Sequence, residues 1–256
     1  MNPTLDTIHS LRSIHGGFTD RKVTEEDLAT VLTAATRAAN SSARQAYSIV
    51  VVQDTDRMDT LIGYWASHAL VFCADFRRQA LLAERLGHRF SNDDVIGFVT
   101  ATVDTVLAAQ TAVIAARSLG IDSLITNDLH RRPLDLVHRE LGLPETSVFP
   151  LIALMLGYPE DDDQPAGGRL PVEAVVHRET YRDPDDAELD GLVAAYDDPA
   201  RRLGLSGLWD RREFTHYLDW FFLQWCGEPD PDRVPTGTVK EFQDRLVRSG
   251  FWWPER

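Results

Sequence analysis

The sequence predicts a β-sheet with helices on its faces, an α/β or α+β protein, and three observations predict it. Short apolar runs rich in β-branched residues recur at 47–52, 69–73, 122–126 and 148–156, lengths that suit buried strands. Stretches with helical periodicity and recognisable caps alternate with them. The apolar and charged fractions, 43% and 26%, are those of an ordinary globular chain, which argues against disorder and against a coiled coil.

Taken in order, residues 3–14 read as a short helix stopped by Gly16 and Gly17. Thr24 is a good N-cap, and Glu25, Glu26 and Asp27 suit a first helical turn. Leu28, Val31, Leu32 and Ala35 then form one apolar face of a helix running to about residue 39. Asn40, Ser41 and Ser42 break it ahead of the first strand. Residues 55–62 predict a helix, 69–73 a second strand, and 76–86 a helix with arginines on one side. Ser91, Asn92, Asp93 and Asp94 cap a long helix that ends at Gly120. Its stretch from Val95 to Ala116 carries one charge, Asp104, yet five Thr and Gln residues make it too polar for a bilayer span. A helix apolar nearly all round belongs in a large core or a subunit interface. Strand 122–126, helix 133–141 and strand 148–156 complete the body, and 160–168 reads as an acidic, Pro- and Gly-containing loop. From residue 184 the texture changes to helical stretches carrying Trp209, Tyr217, Trp220, Phe221, Phe222 and Trp225, then Phe251, Trp252 and Trp253. The expected division is therefore a body at 1–183 and a helical, aromatic-rich extension at 184–256, packed on the same body or on a partner subunit.

The charge excludes some functions. A formal net charge of -14 lacks the basic footprint that nonspecific nucleic-acid or anionic-membrane binding needs, so neither partner is expected. Two cysteines, Cys73 and Cys226, make no disulfide framework, and the opening residues carry no basic or apolar leader pattern, so the expected compartment is cytoplasmic. The eight histidines form no HxxxH or HExxH pair, which argues against a zinc site. GxSxG, GxGxxG and GxxxxGK[ST] are all absent, so the nucleophile elbow and the usual phosphate cradles are missing.

What remains is an ordered set of modest elements. Leu11-Arg12-Ser13-Ile14-His15-Gly16-Gly17-Phe18-Thr19-Asp20 opens it and Ser41-Ser42-Ala43-Arg44-Gln45 follows. Phe72-Cys73-Ala74-Asp75-Phe76, Val103-Asp104-Thr105, Leu119-Gly120-Ile121, Leu156-Gly157-Tyr158-Pro159 and Arg169-Leu170-Pro171 close it. In this order they resemble the FMN-dependent nitroreductase superfamily, nearest its branch of NADPH-linked nitroreductases and flavin reductases. The resemblance implies an α+β fold, a mixed sheet flanked by helices, and an intertwined homodimer with FMN at the subunit interface. It implies hydride transfer from NADPH or NADH through FMN to a small planar acceptor such as a nitroaromatic, a quinone or a flavin. The flavin carries that chemistry, so no catalytic side chain is expected.

Carried over by position, the resemblance assigns Arg12, Ser13 and Arg169 to the FMN phosphate or ribityl chain, with His15 as a further donor. It places Ser41, Ser42 and Gln45 near the flavin, and Ile125, Thr126 and Asn127 along the N5 edge. Three departures stand out. His15 replaces the usual Arg or Lys, Gly167 replaces a usual Lys, and Thr126-Asn127 replaces a Gly pair. The loop at 63–67 is also short, which leaves Trp65, Ser67 and His68 as stand-ins at the pyrimidine edge. These departures keep open a specialised flavin-dependent dehydrogenase, a flavin-consuming enzyme and a non-catalytic flavin-binding protein.

Overall fold

The computed structural model describes residues 2–92, 94–204, 214–226 and 239–252. Asp93 of the expected cap, and Trp209 and Trp253 of the aromatic series, lie outside the described residues. The chain forms two compact units, Met1–Gln164 with Pro235–Arg256, and Pro165–Val234.

The first unit is built on strands β1 (Tyr47–Val52), β2 (His68–Asp75), β3 (Asp122–Thr126) and β4 (Val148–Gly157), in the order β1-β2-β4-β3. Every neighbouring pair is antiparallel, so the expected mixed sheet is corrected. Among the described residues, parallel pairing is confined to an isolated bridge between Ser13 and Ser123. β2 is buried at every position, and β4 at most, as suits central strands covered on both faces. Pro150 sits in β4 where a ladder N–H would otherwise be expected. The register slips at that point, Phe72 facing Ile152 and Cys73 facing Pro150, and the skipped residue forms a bulge that accommodates the proline.

Side chains of the two central strands alternate between two cores. Leu70, Phe72, Leu154 and Leu156 meet helices α2 (Glu25–Ala35) and α5 (Val95–Ser118). Val71, Cys73, Ala153 and Met155 meet residues of α3 (Thr55–Leu61), of α6 (Leu134–Leu141) and of the segment around Ile14 and Phe18. The side of α5 against the sheet is alanine-rich: Ala101, Ala108, Ala109, Ala112 and Ala116 are all fully buried, letting the helix lie close. α5 has the length and hydropathy to cross a membrane, but it packs as this core helix and buries Asp104.

Helix α1 spans Pro3–His9, shorter than the expected 3–14. Beyond it the backbone turns to β3, the Ile14 N–H donating to the Ser123 carbonyl at 3.0 Å. Helix α4 (Arg77–Arg85) follows β2 directly. Residues of the expected extension also belong to this unit. On α9 (Val239–Arg248), Phe242 and Leu246 join Phe76, Phe98, Phe149 and Phe251 in a third cluster. Arg245, 1% exposed, donates to the Glu145 carboxylate and carbonyl, and Arg248 makes a bidentate pair with Asp135. Beside them His138 is buried, with no partner for either ring nitrogen among the described residues. Burial and the nearby Arg245 lower its pKa to about 4.

The second unit contains α7 (Asp186–Asp197), opened by a reciprocal cap between Asp185 and Glu188, and α8 (Tyr217–Phe221). Tyr196 stacks on Tyr217 at 5.8 Å, and Asp197 binds His216 and raises its pKa.

Candidate functional site

The start of β3 is an electrostatic junction. Arg12 donates through Nε and Nη2 to both carboxylate oxygens of Asp122, at 3.0 and 2.7 Å. Its Nη1 reaches the carbonyls of Asp162 and Gln164 at 2.6 and 2.8 Å. The hydrogen bond to Asp122 raises the guanidinium pKa further. Arg117, at the end of α5, also pairs with Asp122 at 2.8 Å and donates to Ser10 Oγ. Two guanidiniums thus share one carboxylate that is only 3% exposed, and the exposed Asp162 carboxylate lies 3.9 Å from Arg12, so two cations face two carboxylates at this edge. The arrangement changes what Arg12 does: four of its donor contacts are made within the protein, so it pins segment 12–14 to β3. Ser13 and His15, on either side of buried Ile14, remain exposed.

A second cluster is the turn between α2 and β1. Ser42, Ala43 and Gln45 have φ of 50°, 56° and 45°, left-handed values that cost a non-glycine residue about 1–2 kcal/mol each. The turn is gripped from within and from without. Asp104, fully buried on α5, accepts the Ser41 N–H at 2.8 Å with one oxygen and the Ala46 N–H at 3.0 Å with the other. From α4, Arg78 donates to the Gln45 carbonyl and Gln79 to the Arg44 carbonyl. The Gln45 side chain folds back on Thr36, its amide donating to that carbonyl at 3.3 Å.

The third segment is the exit of β3. Ile125 and Thr126 are half-buried and Asn127 is exposed. The Thr126 hydroxyl accepts the Asp128 N–H at 3.1 Å, starting a 3-10 turn at Asp128–Arg131. Because Ser13 bridges Ser123, this exit lies three residues along the strand, roughly 10 Å from Ser13. Arg169 belongs to the second unit, is exposed, and donates to the carbonyls of Gly167 and Gly168 in its own loop.

Of the stand-ins near residue 65, Trp65 is exposed while Ser67 and His68 are buried. The Gln53 amide donates to His68 Nε2 and to Glu25, both at 3.1 Å, which puts the His68 proton on Nδ1, facing Ser67 Oγ at 2.9 Å. Ser67 Oγ also accepts the Val23 N–H at 2.7 Å. Burial lowers the His68 pKa, and these groups line a cavity of about 290 Å³ with Lys22 at its rim.

The structure therefore brings Arg12, Ser13, His15 and the 125–127 segment together at the β3 edge, and groups Ser41, Ser42 and Gln45 separately. The anchors of the two groups, Asp104 and Arg117, are thirteen residues apart on α5, roughly 20 Å along its axis. Sequence reasoning missed Asp104, Asp122, Arg117 and the α4 pair as supports. The available signal was Asp104 itself, a lone charge in an otherwise uncharged stretch.

The α+β fold thus presents an exposed hydroxyl and imidazole at one sheet edge and, separately, a strained hydroxyl-bearing turn. The chain belongs to the nitroreductase family, whose model matches residues 8–158. It is 37% identical over 193 residues to the FMN reductase (NADPH) of Bacillus subtilis (strain 168), covering 71% of this chain and 75% of that protein. It is 34% identical over 191 residues to the NADPH-flavin oxidoreductase of Vibrio harveyi, covering 72% and 76%. Among solved structures, B. megaterium NfrA2 superposes over all of both chains with a TM-score of 0.83 and 26% identity. The NfrA1 nitroreductase from B. subtilis gives a TM-score of 0.80 at 30% identity over 97% of this chain and 98% of that one.

Proposed function

We propose that this chain is an FMN-dependent oxidoreductase that takes hydride from NADPH or NADH and delivers it to a small planar acceptor, a nitroaromatic, a quinone or a flavin. The observation that carries the reading is the strained, doubly gripped turn at 41–46, which coincides with a segment the family resemblance assigns to the flavin. Strain of this kind persists where surrounding structure over-determines it, commonly at ligand sites.

The residues present fit FMN. Ser13 and His15 offer exposed donors beside the Arg12–Asp122–Arg117 junction, which suits a phosphate held by hydrogen bonds in an otherwise acidic protein. Arg12 acts by orienting Ser13 and His15. Ser41, Ser42 and Gln45 flank the ring, and Thr126 and Asn127 with the backbone of Ile125 border its N5 edge, where hydrogen bonds favour one redox state over the other. FMN, when bound, accepts the hydride and passes it on; the protein orients both partners and excludes water.

The working form is a homodimer, and the compartment is the cytoplasm, where the nicotinamide reductants are held. α5 supports the dimer: Ile96, Val99, Val103, Val106 and Leu107 are 40–73% exposed at helical spacing, an apolar face opposite the one against the sheet. A second copy covers such a face by the same residues on both sides of a twofold axis. The test is to purify the protein, identify the released flavin by mass, and add NADPH or NADH without oxygen. FMN at one per chain, reduced by either nucleotide and reoxidised by a nitroaromatic or quinone, is the expected result. Bound FMN that neither nucleotide reduces would leave only a flavin-binding role.

A further inference from the structure

We infer that Asp104 is a positioning residue for the flavin site, a buried latch that holds the 41–46 turn in its strained conformation. The inference rests on the reading of that turn as a flavin-facing segment. Asp104 is the one charge in the 95–116 stretch of α5 and is completely buried. A carboxylate in that position is costly unless its oxygens are satisfied. No cation pairs with it among the described salt bridges; both oxygens instead take backbone N–H groups, from Ser41 at 2.8 Å and Ala46 at 3.0 Å. These two amides are the ends of the turn that contains the left-handed residues Ser42, Ala43 and Gln45. A single carboxylate can span both ends because it accepts with two oxygens. No neutral side chain of that size does so, since an amide puts a donor where the second oxygen stood. The latch therefore joins a rigid core helix to a segment whose own backbone preference opposes its shape, and α4 closes the turn from outside through Arg78 and Gln79.

The test uses the FMN-loaded protein. In Asp104→Asn one turn amide loses its acceptor and meets an N–H, so the turn relaxes. Hydrogen exchange at Ser41 and Ala46 should speed up by roughly tenfold or more, and FMN release on dilution by roughly tenfold, with a shifted flavin midpoint potential. Adding Ala43→Gly, which makes the left-handed conformation free of steric cost, should bring release back to within about threefold of wild type. That rescue separates a latch from a buried charge that merely stabilises the fold. If Asp104→Asn does not fold, Asp104→Ser, which keeps one acceptor in a smaller side chain, takes its place. Unchanged exchange and release, or faster release with no rescue by glycine, would overturn the inference. If the wild type carries no FMN, the functional reading fails, while exchange at Ser41 and Ala46 still decides whether the latch exists.

Discussion

Arg12 is where sequence and structure assign different work to the same side chain, and the difference is measurable. Arg12→Ala removes two hydrogen bonds to Asp122 and two to the carbonyls of Asp162 and Gln164. Asp122 is 3% exposed and keeps Arg117 as its remaining partner. Breaking a buried pair outright costs about 3–5 kcal/mol, and with one guanidinium left the loss here is about 2–3 kcal/mol. For a chain of this size each kcal/mol lowers Tm by about 2–4 °C, so Arg12→Ala should melt roughly 5–10 °C below wild type. Arg12→Lys keeps the charge but not the planar fork, and should fall between the two. The assay is thermal unfolding of the flavin-free protein, paired with titrations of FMN and riboflavin. A lower Tm, with FMN weakened more than riboflavin because Ser13 and His15 lose their placement, supports the structural pin. An unchanged Tm, with FMN weakened and riboflavin not, would refute it and make Arg12 a direct phosphate ligand.

Three further outcomes follow from other parts of the molecule. Val103→Glu places a charge in the exposed apolar stripe of α5, and light scattering should show a monomer that retains little flavin; a dimer of wild-type mass would remove this face from the interface. Asn127→Gly deletes the exposed side chain at the β3 exit and should move the flavin midpoint potential by about 30 mV, equivalent to roughly 1.4 kcal/mol for a two-electron couple. An unmoved potential at normal FMN content takes Asn127 out of the site. His138 has a folded-state pKa of about 4 against an ordinary 6.5, so the unfolded chain binds its proton first. Its contribution is complete above pH 6.5 and is lost as pH falls towards 4, about 3 kcal/mol in all. Arg245, Arg248, Asp135 and Glu145 surround it. His138→Leu should flatten that acid limb in equilibrium unfolding, and an identical limb would assign the acid sensitivity to other groups.

The strands were legible because their burial is written in composition. β1 and β3 run over the expected residues, and β2 and β4 exceed expectation only where His68, Ala74, Asp75 and Gly157 extend the ladder. Strand direction was not legible, since an antiparallel order depends on where α3, α5 and α6 carry the chain between strands. The end of α1 was missed because its cause lies 110 residues away, in the carboxylate that captures Arg12. The supports of the candidate site were hidden for a related reason. Asp104, Arg78 and Gln79 bind backbone atoms, which leave no side-chain pattern to match. The α5 sequence promised burial all round; the structure divides that promise between a sheet-facing side and a bare apolar stripe.

This chain is expected to hold FMN and to pass a nicotinamide's hydride through it. Anaerobic stopped-flow mixing of the flavin-loaded protein with NADPH, and separately with NADPH deuterated at the transferring position, tests it most directly. Single-turnover loss of the visible flavin band, slowed by deuterium, is the expected result, with NADH as the second reductant to compare. A flavin that stays oxidised with both nucleotides, while bound at one per chain, would contradict it.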